Sequence, residues 1–214
     1  MTIRSPVSYV LSLLLMIVAC SCASSNLEKA VGVEQARYSV IEKEGKFEVR
    51  QYEPCIVAET LVESNFAGAG NVAFRRLFNY ISGRNRQRES IAMTAPVNQQ
   101  TTSEKIAMTA PVNQQKSQDQ WAVSFVMPSK YTMQTLPEPL DPAITLREIP
   151  GRRMAAVRYS GTWSQKRYGD NRTRLEAFIR DRGLRISGEA IFARYDPPFQ
   201  LFFLRRNEVL IPVE

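Results

Sequence analysis

The chain contains no histidine. The commonest general base and the commonest metal ligand are therefore missing together. Ser-His-Asp and Cys-His mechanisms are excluded, and no nucleophile stands beside a base. Carboxylates do not gather into an acid–base pair: Glu42, Glu44, Glu48 and Glu53 are scattered along one segment and read as solvent-facing. Gly68-x-Gly70-x-x-Ala73 imitates a dinucleotide fingerprint. It lacks the apolar approaching strand and the βαβ unit that such chemistry needs, so it reads as a turn and helix cap. Asn171-Arg172-Thr173 has the form of a glycosylation sequon but falls within an expected helix.

In place of catalytic pairs the sequence offers cations. The formal net charge is +7, and arginines concentrate at Arg75, Arg76, Arg84, Arg86 and Arg88, then at Arg152, Arg153, Arg167, Arg172 and Arg174. Such a surface attracts acidic ligands, lipid headgroups or nucleic acid, although a solvated basic face would have the same composition. No nucleic-acid motif accompanies it, and a nucleic-acid partner is not expected.

Residues 1–19 carry one charge, Arg4, followed by an apolar run from Val7 to Ala19. The run is shorter than the roughly 20 residues of a bilayer span, and a basic start before a short apolar stretch reads as a secretory leader. Ile17-Val18-Ala19-Cys20 resembles the lipobox of bacterial lipoproteins. That resemblance implies a diacylated Cys20 as the new N-terminus, with Ser21 suited to the outer membrane. The expected organisation is a signal peptide 1–19, a lipidated tether 20–37 and a domain 38–214 at the periplasmic face of a membrane. Cleavage after Ala23, or retention of the segment as an anchor, are the competing readings. Beyond the lipidated Cys20 only Cys55 and whatever remains of Cys22 are left, and no internal disulfide framework is implied.

The elements follow from periodicity. Lys46–Tyr52 alternates apolar and polar residues as a half-buried strand, and Cys55–Val62 is a second. After the Gly68–Gly70 turn, Asn71 is placed to cap a helix whose stripe is Phe74, Leu77, Phe78 and Ile81, ended by Gly83. ESIAMTAPVNQQ at Glu89 recurs as EKIAMTAPVNQQ at Glu104. Each copy reads as a short strand stopped by proline. Trp121–Met127 is a strand, and Pro128–Pro142 a proline-rich connector. Strands at Ile144–Glu148 and Met154–Tyr159, a helix over Ser164–Arg182 with Tyr168, Leu175, Phe178 and Ile179 on one face, and strands at Ile191–Tyr195 and Glu208–Val213 complete a second pass. Two similar ββαββ halves predict an α+β fold, a distorted antiparallel β-barrel or sheet with two packed helices.

Six strings in order resemble the SOUL heme-binding family: Phe47-Glu48-Val49-Arg50-Gln51-Tyr52, the doubled Ile-Ala-Met-Thr-Ala-Pro-Val, Phe125 to Tyr131, Tyr159-Ser160-Gly161-Thr162-Trp163, Arg194-Tyr195-Asp196-Pro197-Pro198, and Arg205-Arg206-Asn207-Glu208-Val209. The resemblance runs from about Tyr38 to Val213. It implies a barrel flanked by two helices and non-covalent binding of heme or another tetrapyrrole in a groove beside the first helix and the loop after Asp-Pro-Pro. Arg75, Arg76, Phe78, Asn79, Phe199, Gln200, Phe202, Arg205 and Arg206 would line it, with Phe203 as a further wall. The animal heme binder carries lysines at the positions aligned with Asn79 and Gln200, and the histidine proposed as iron ligand in another member has no counterpart. Iron would have to be met by Met93, Met108, a tyrosine or Cys55, and none is selected by spacing. The metal-binding residues stay unassigned. A non-enzymatic envelope protein that uses the same fold for another apolar anion or a protein partner is the competing reading.

Overall fold

The computed structural model describes residues 33–88 and 103–214. The leader, Cys20, Cys22, all of the tether before Val33 and the first copy of the repeat, Met93 included, lie outside the described residues. The strands are β1 Glu34–Gln35, β2 Tyr38–Glu44, β3 Phe47–Tyr52, β4 Cys55–Val62, β5 Asn85–Arg86, β6 Thr109–Ala110, β7 Val112–Ser117, β8 Gln120–Val126, β9 Glu138–Pro139, β10 Ile144–Ile149, β11 Arg152–Tyr159, β12 Ile191–Arg194 and β13 Asn207–Pro212. The helices are α1 Phe66–Ile81 and α2 Gln165–Asp181.

Nine strands form one curled antiparallel sheet in the order β10-β4-β8-β7-β12-β13-β11-β3-β2. Exchanging β3 with β10, β4 with β11, β7 with β12 and β8 with β13 turns the order of those eight strands into its own reverse. The two expected halves are therefore present, but each lends its first strand to the other. β3 pairs with β11, Val49 opposite Ala155, and β10 pairs with β4, Leu146 opposite Ala58. Both helices cover the same face. α1 packs on β4 and β8 through Ala58, Ala73, Leu77, Val123 and Phe125. α2 packs on β11 and β13 through Val157, Leu175, Phe178, Ile179 and Val209. Phe66 joins the two clusters, with its ring 5.3 Å from Phe192 and edge-on to Trp121 at 5.4 Å.

Three expectations change in the first half. α1 begins at Phe66, not at Asn71, and its cap is Asn65, whose side chain accepts from the Gly68 amide at 2.8 Å. Burial of Phe66 among aromatic rings draws Gly68 and Gly70 into the helix, a tertiary demand that outweighs their poor propensity. The helix is also rotated relative to the predicted stripe. Leu77 and Ile81 are buried, but Phe74 and Phe78 are 37% and 47% exposed. Phe66 at one end and fully buried Tyr80 at the other, its hydroxyl donating to the Pro137 carbonyl at 2.7 Å, set the rotation. Ala69 and Ala73 between them let the helix approach the sheet. Finally, proline does not stop the second repeat copy. β6 pairs with β1, Ala110–Pro111 is a cis bond, and β7 follows at once. In the second half Tyr168, Leu175, Phe178 and Ile179 are buried and Gly183 ends α2 at φ +66°, as expected; Ser164, the expected first residue of the helix, is its N-cap.

Candidate functional site

The rotation of α1 gives the helix side of the molecule an aromatic outer surface. Phe74 and Phe78 stack at 5.8 Å, and Phe74 leans on Phe125 at 5.5 Å. Exposed Arg75 lies beside them and forms no ion pair among the described residues. Arg76 and Asn79 belong to the flank instead. Arg76 donates to the Thr60 hydroxyl at 2.7 Å and pairs with Asp141 at 3.3 Å. With Asn79, Arg84 and Leu140 it lines a cavity of about 470 Å³.

The second apolar surface is the loop after β12. Phe199, Leu201, Phe202, Phe203 and Leu204 are each more than half exposed. Such a run is uncommon on a soluble surface without a function. Pro197 and Pro198 rule out regular structure at its start, and Phe202–Leu204 makes one 3-10 turn. Arg205 holds the loop in shape, donating to the Gln200 carbonyl at 2.8 Å and the Pro198 carbonyl at 2.5 Å. The Gly161 amide donates to the Phe202 carbonyl at 3.0 Å. Gln200 thus serves through its backbone. Arg206 turns to the other face of the sheet, where it pairs with Glu208 at 2.8 Å and lies 3.7 Å from the Tyr195 ring centroid. The structure therefore brings Phe199, Gln200, Phe202 and Arg205 together, places Arg75 and Phe78 on α1, and separates Arg206 from both groups.

One side chain that sequence reasoning did not single out lies between α1 and the base of this loop. Arg194, at the end of β12, lies 5.2 Å from the Trp163 ring centroid, and Arg205 lies 4.6 Å from the same indole. A Cβ at Gly70 would fall 2.5 Å from the Arg194 guanidinium, so with any other residue at 70 the guanidinium would have to shift from this position. Arg194 donates to the Gln114 side chain at 3.0 Å but has no carboxylate partner among the described residues. Desolvation pulls its pKa down to about 10, against an opposing effect of Tyr159. Arg194 Nε, Trp163 Nε1 and Tyr159 Oη are buried without a hydrogen-bond partner; the remaining orphans among the described residues are the amide oxygens of Asn113 and Asn207. Each orphan donor costs about 1–3 kcal/mol. The signal for Arg194 was parity: it shares a strand face with buried Phe192, where a charge is out of place.

The face opposite the helices is different. Arg50 and Glu208 are buried there and paired at 2.7 Å, with Tyr195 Oη donating to Glu208 at 3.0 Å and Arg50 to the Tyr52 hydroxyl at 3.0 Å. Cys55 lines a cleft of about 540 Å³ on this face. Burial pushes its thiol pKa up, against the nearby Arg152, which disfavours the thiolate that binds metal. Met108 is half-buried against the first core cluster. No group of three or more acidic, histidine or cysteine side chains that could hold a metal ion occurs among the described residues.

A tetrapyrrole is a flat apolar disc with carboxylates at its rim. The exposed aromatics suit the disc, and the donors orphaned at Arg194 and Trp163 suit a carboxylate. The family described as SOUL heme-binding protein matches residues 33–104 and 97–212, the two matches meeting inside the repeat. No curated protein sequence matches the chain. Among solved structures it is similar to the EcmrR C-terminal domain, at 13% identity and a TM-score of 0.56, covering 83% of this chain and 98% of that one. A hydrolase from Listeria innocua aligns at 12% identity and a TM-score of 0.52, covering 81% and 94%. EcmrR in a complex with DNA aligns at 11% identity and a TM-score of 0.55, covering 97% and 68%. At these identities the likeness is one of fold.

Proposed function

Because this chain belongs to the SOUL heme-binding protein family, we propose that it binds heme or a related tetrapyrrole on the helix side of its sheet, against α1 and the 197–206 loop. The observation that carries the reading is the pair of exposed aromatic surfaces, on α1 and on the 197–206 loop, with Arg194, Trp163 and Arg205 set between the loop and α1 at Gly70. Burial of the macrocycle on these surfaces supplies the affinity, and cations at its edge orient the carboxylates. Heme, when bound, contributes its redox-active iron. The chain's own residues exclude water from the ring faces and hold the rim. We read the protein as a binder and not as an enzyme, on its lack of histidine and of a nucleophile–base pair.

This account predicts that iron contributes little. Protoporphyrin IX, which keeps the disc and the carboxylates, should bind within about tenfold of hemin, a difference below ~1.4 kcal/mol. Absorbance or fluorescence titration of the full chain with each ligand measures it. Hemin binding a thousandfold tighter would mean a protein ligand to iron and would refute the account. Failure of both to bind below about 100 µM, near −5.5 kcal/mol, would overturn the tetrapyrrole assignment.

The second part of the proposal is location. A diacylated Cys20 would hold the domain at a membrane surface without a spanning helix. Cys20→Ser should give an unprocessed precursor or a protein released from membranes, seen by mass and fractionation. A processed, membrane-bound variant of unchanged mass would rule out lipidation at Cys20.

A further inference from the structure

We propose that Arg194, together with the indole N–H of Trp163, forms a seat for a carboxylate at the inner end of the 197–206 loop. The inference deepens the tetrapyrrole reading and rests on it for the identity of the ligand, but the chemistry of the seat can be tested alone.

Three independent observations converge. First, Arg194 is a partly buried guanidinium with no acid opposite it; its one polar side-chain contact is the neutral Gln114 amide. Arg50, which is fully buried, has Glu208 as a bidentate partner at 2.7 and 3.1 Å. Second, no carboxylate stands near Arg194; the acceptors beside it are neutral amide oxygens, that of Gln114, which it uses, and that of Asn207 on the paired strand, which no group uses. Trp163 Nε1, Tyr159 Oη and Arg194 Nε lack acceptors, and Arg205 is the second cation on the same indole. Third, α1 packs its N-terminal turns against the guanidinium at Gly70, and its first turn carries no acidic residue. The positive end of a helix dipole thus adds to an uncompensated charge. One carboxylate supplies the missing acceptor atoms and the missing charge together, and arginine's fork suits it.

Trp163, Arg194 and Arg205 are only partly buried. Arg205 latches the loop through the Gln200 and Pro198 carbonyls, so it closes the seat while Arg194 remains available to the ligand.

The test compares protoporphyrin IX with its dimethyl ester, which has the same disc and no carboxylates. For the full chain the free acid should bind at least tenfold tighter than the ester. In Arg194→Met that preference should disappear, with ester affinity unchanged. Thermal stability without ligand should not fall, because the replacement removes a buried charge that nothing balances. Persistence of the acid preference in Arg194→Met overturns the proposal. If that variant does not fold, Trp163→Phe keeps an aromatic ring under the two arginines but loses the N–H donor together with the second ring: a reduced acid preference with ester affinity unchanged supports the seat, and an unchanged preference overturns it. Should the wild-type chain bind neither porphyrin, the tetrapyrrole reading fails and the seat is judged with sodium propionate. A rise in the thermal midpoint over sodium chloride at equal ionic strength, present in the wild type and absent in Arg194→Met, supports it. No such rise overturns it.

Discussion

Replacing Glu208 with alanine should destabilise the domain by about 3–5 kcal/mol, the usual loss when one partner of a buried ion pair is removed. Glu208 is fully buried and accepts from Arg50 at 2.7 and 3.1 Å, from Arg206 at 2.8 and 3.0 Å, and from Tyr195 at 3.0 Å. Arg50 is itself 2% exposed, and without Glu208 its charge is left in a site that water does not reach. The urea midpoint at unchanged slope measures the effect; a loss below 1 kcal/mol would mean that Glu48, which also bonds Arg50 at 2.8 Å, can replace Glu208. The same carboxylate makes stability depend on pH. Burial pushes its pKa up, but the hydrogen bond and charge of Arg50, then those of Arg206, outweigh this and hold it below the ordinary value. A group whose folded pKa is depressed stabilises fully above its unfolded pKa, and that contribution fades as pH falls through the folded one. Wild-type stability should therefore decline in acid, and Glu208→Ala should lose less than the wild type over that window.

Leu77→Ala should cost about 2–5 kcal/mol, whereas Phe78→Ala, one residue on, should cost under about 1 kcal/mol and weaken porphyrin binding instead. Leu77 is fully buried between α1 and the sheet; Phe78 is 47% exposed and stacked on Phe74. Removing the first leaves a cavity that close-packed neighbours cannot collapse into. Removing the second trims a surface. Denaturant melts of the two variants, with porphyrin titration of Phe78→Ala, check both at once. Equal destabilisation by the two would place Phe78 in the core and remove the aromatic surface on which the binding proposal rests.

The two faces of the sheet divide the labour of the arginines. Arg50 and Arg206 are consumed by Glu208 and hold the helix-free face together. Arg194 and Arg205, on the helix side, have no such acid among the described residues. Spacing along the chain does not distinguish Arg205 from Arg206, although they are neighbours. In an extended segment adjacent side chains point to opposite faces, so the two belong to different sites.

Local pattern decided much of this protein by itself. Alternation in Lys46–Tyr52, the apolar run Met154–Tyr159 and the stripe Tyr168, Leu175, Phe178, Ile179 each specify an element within a few residues, because strand and helix periodicities are properties of neighbours in sequence. The absence of histidine bounded the chemistry without any structure. Partners more than a dozen residues apart were decided only by the tertiary structure. Alternation fixes which face of β3 is buried but not which strand lies beside it, so the exchange of β3 and β10 between the halves has no local signature. The start and rotation of α1 depend on rings at Trp121, Tyr168 and Phe192 that meet Phe66 across the fold. The isolation of Arg194 depends on where Gly70, Gln114 and Trp163 arrive around it. A charge is an asset or a defect only according to what else reaches it, and that is set by packing.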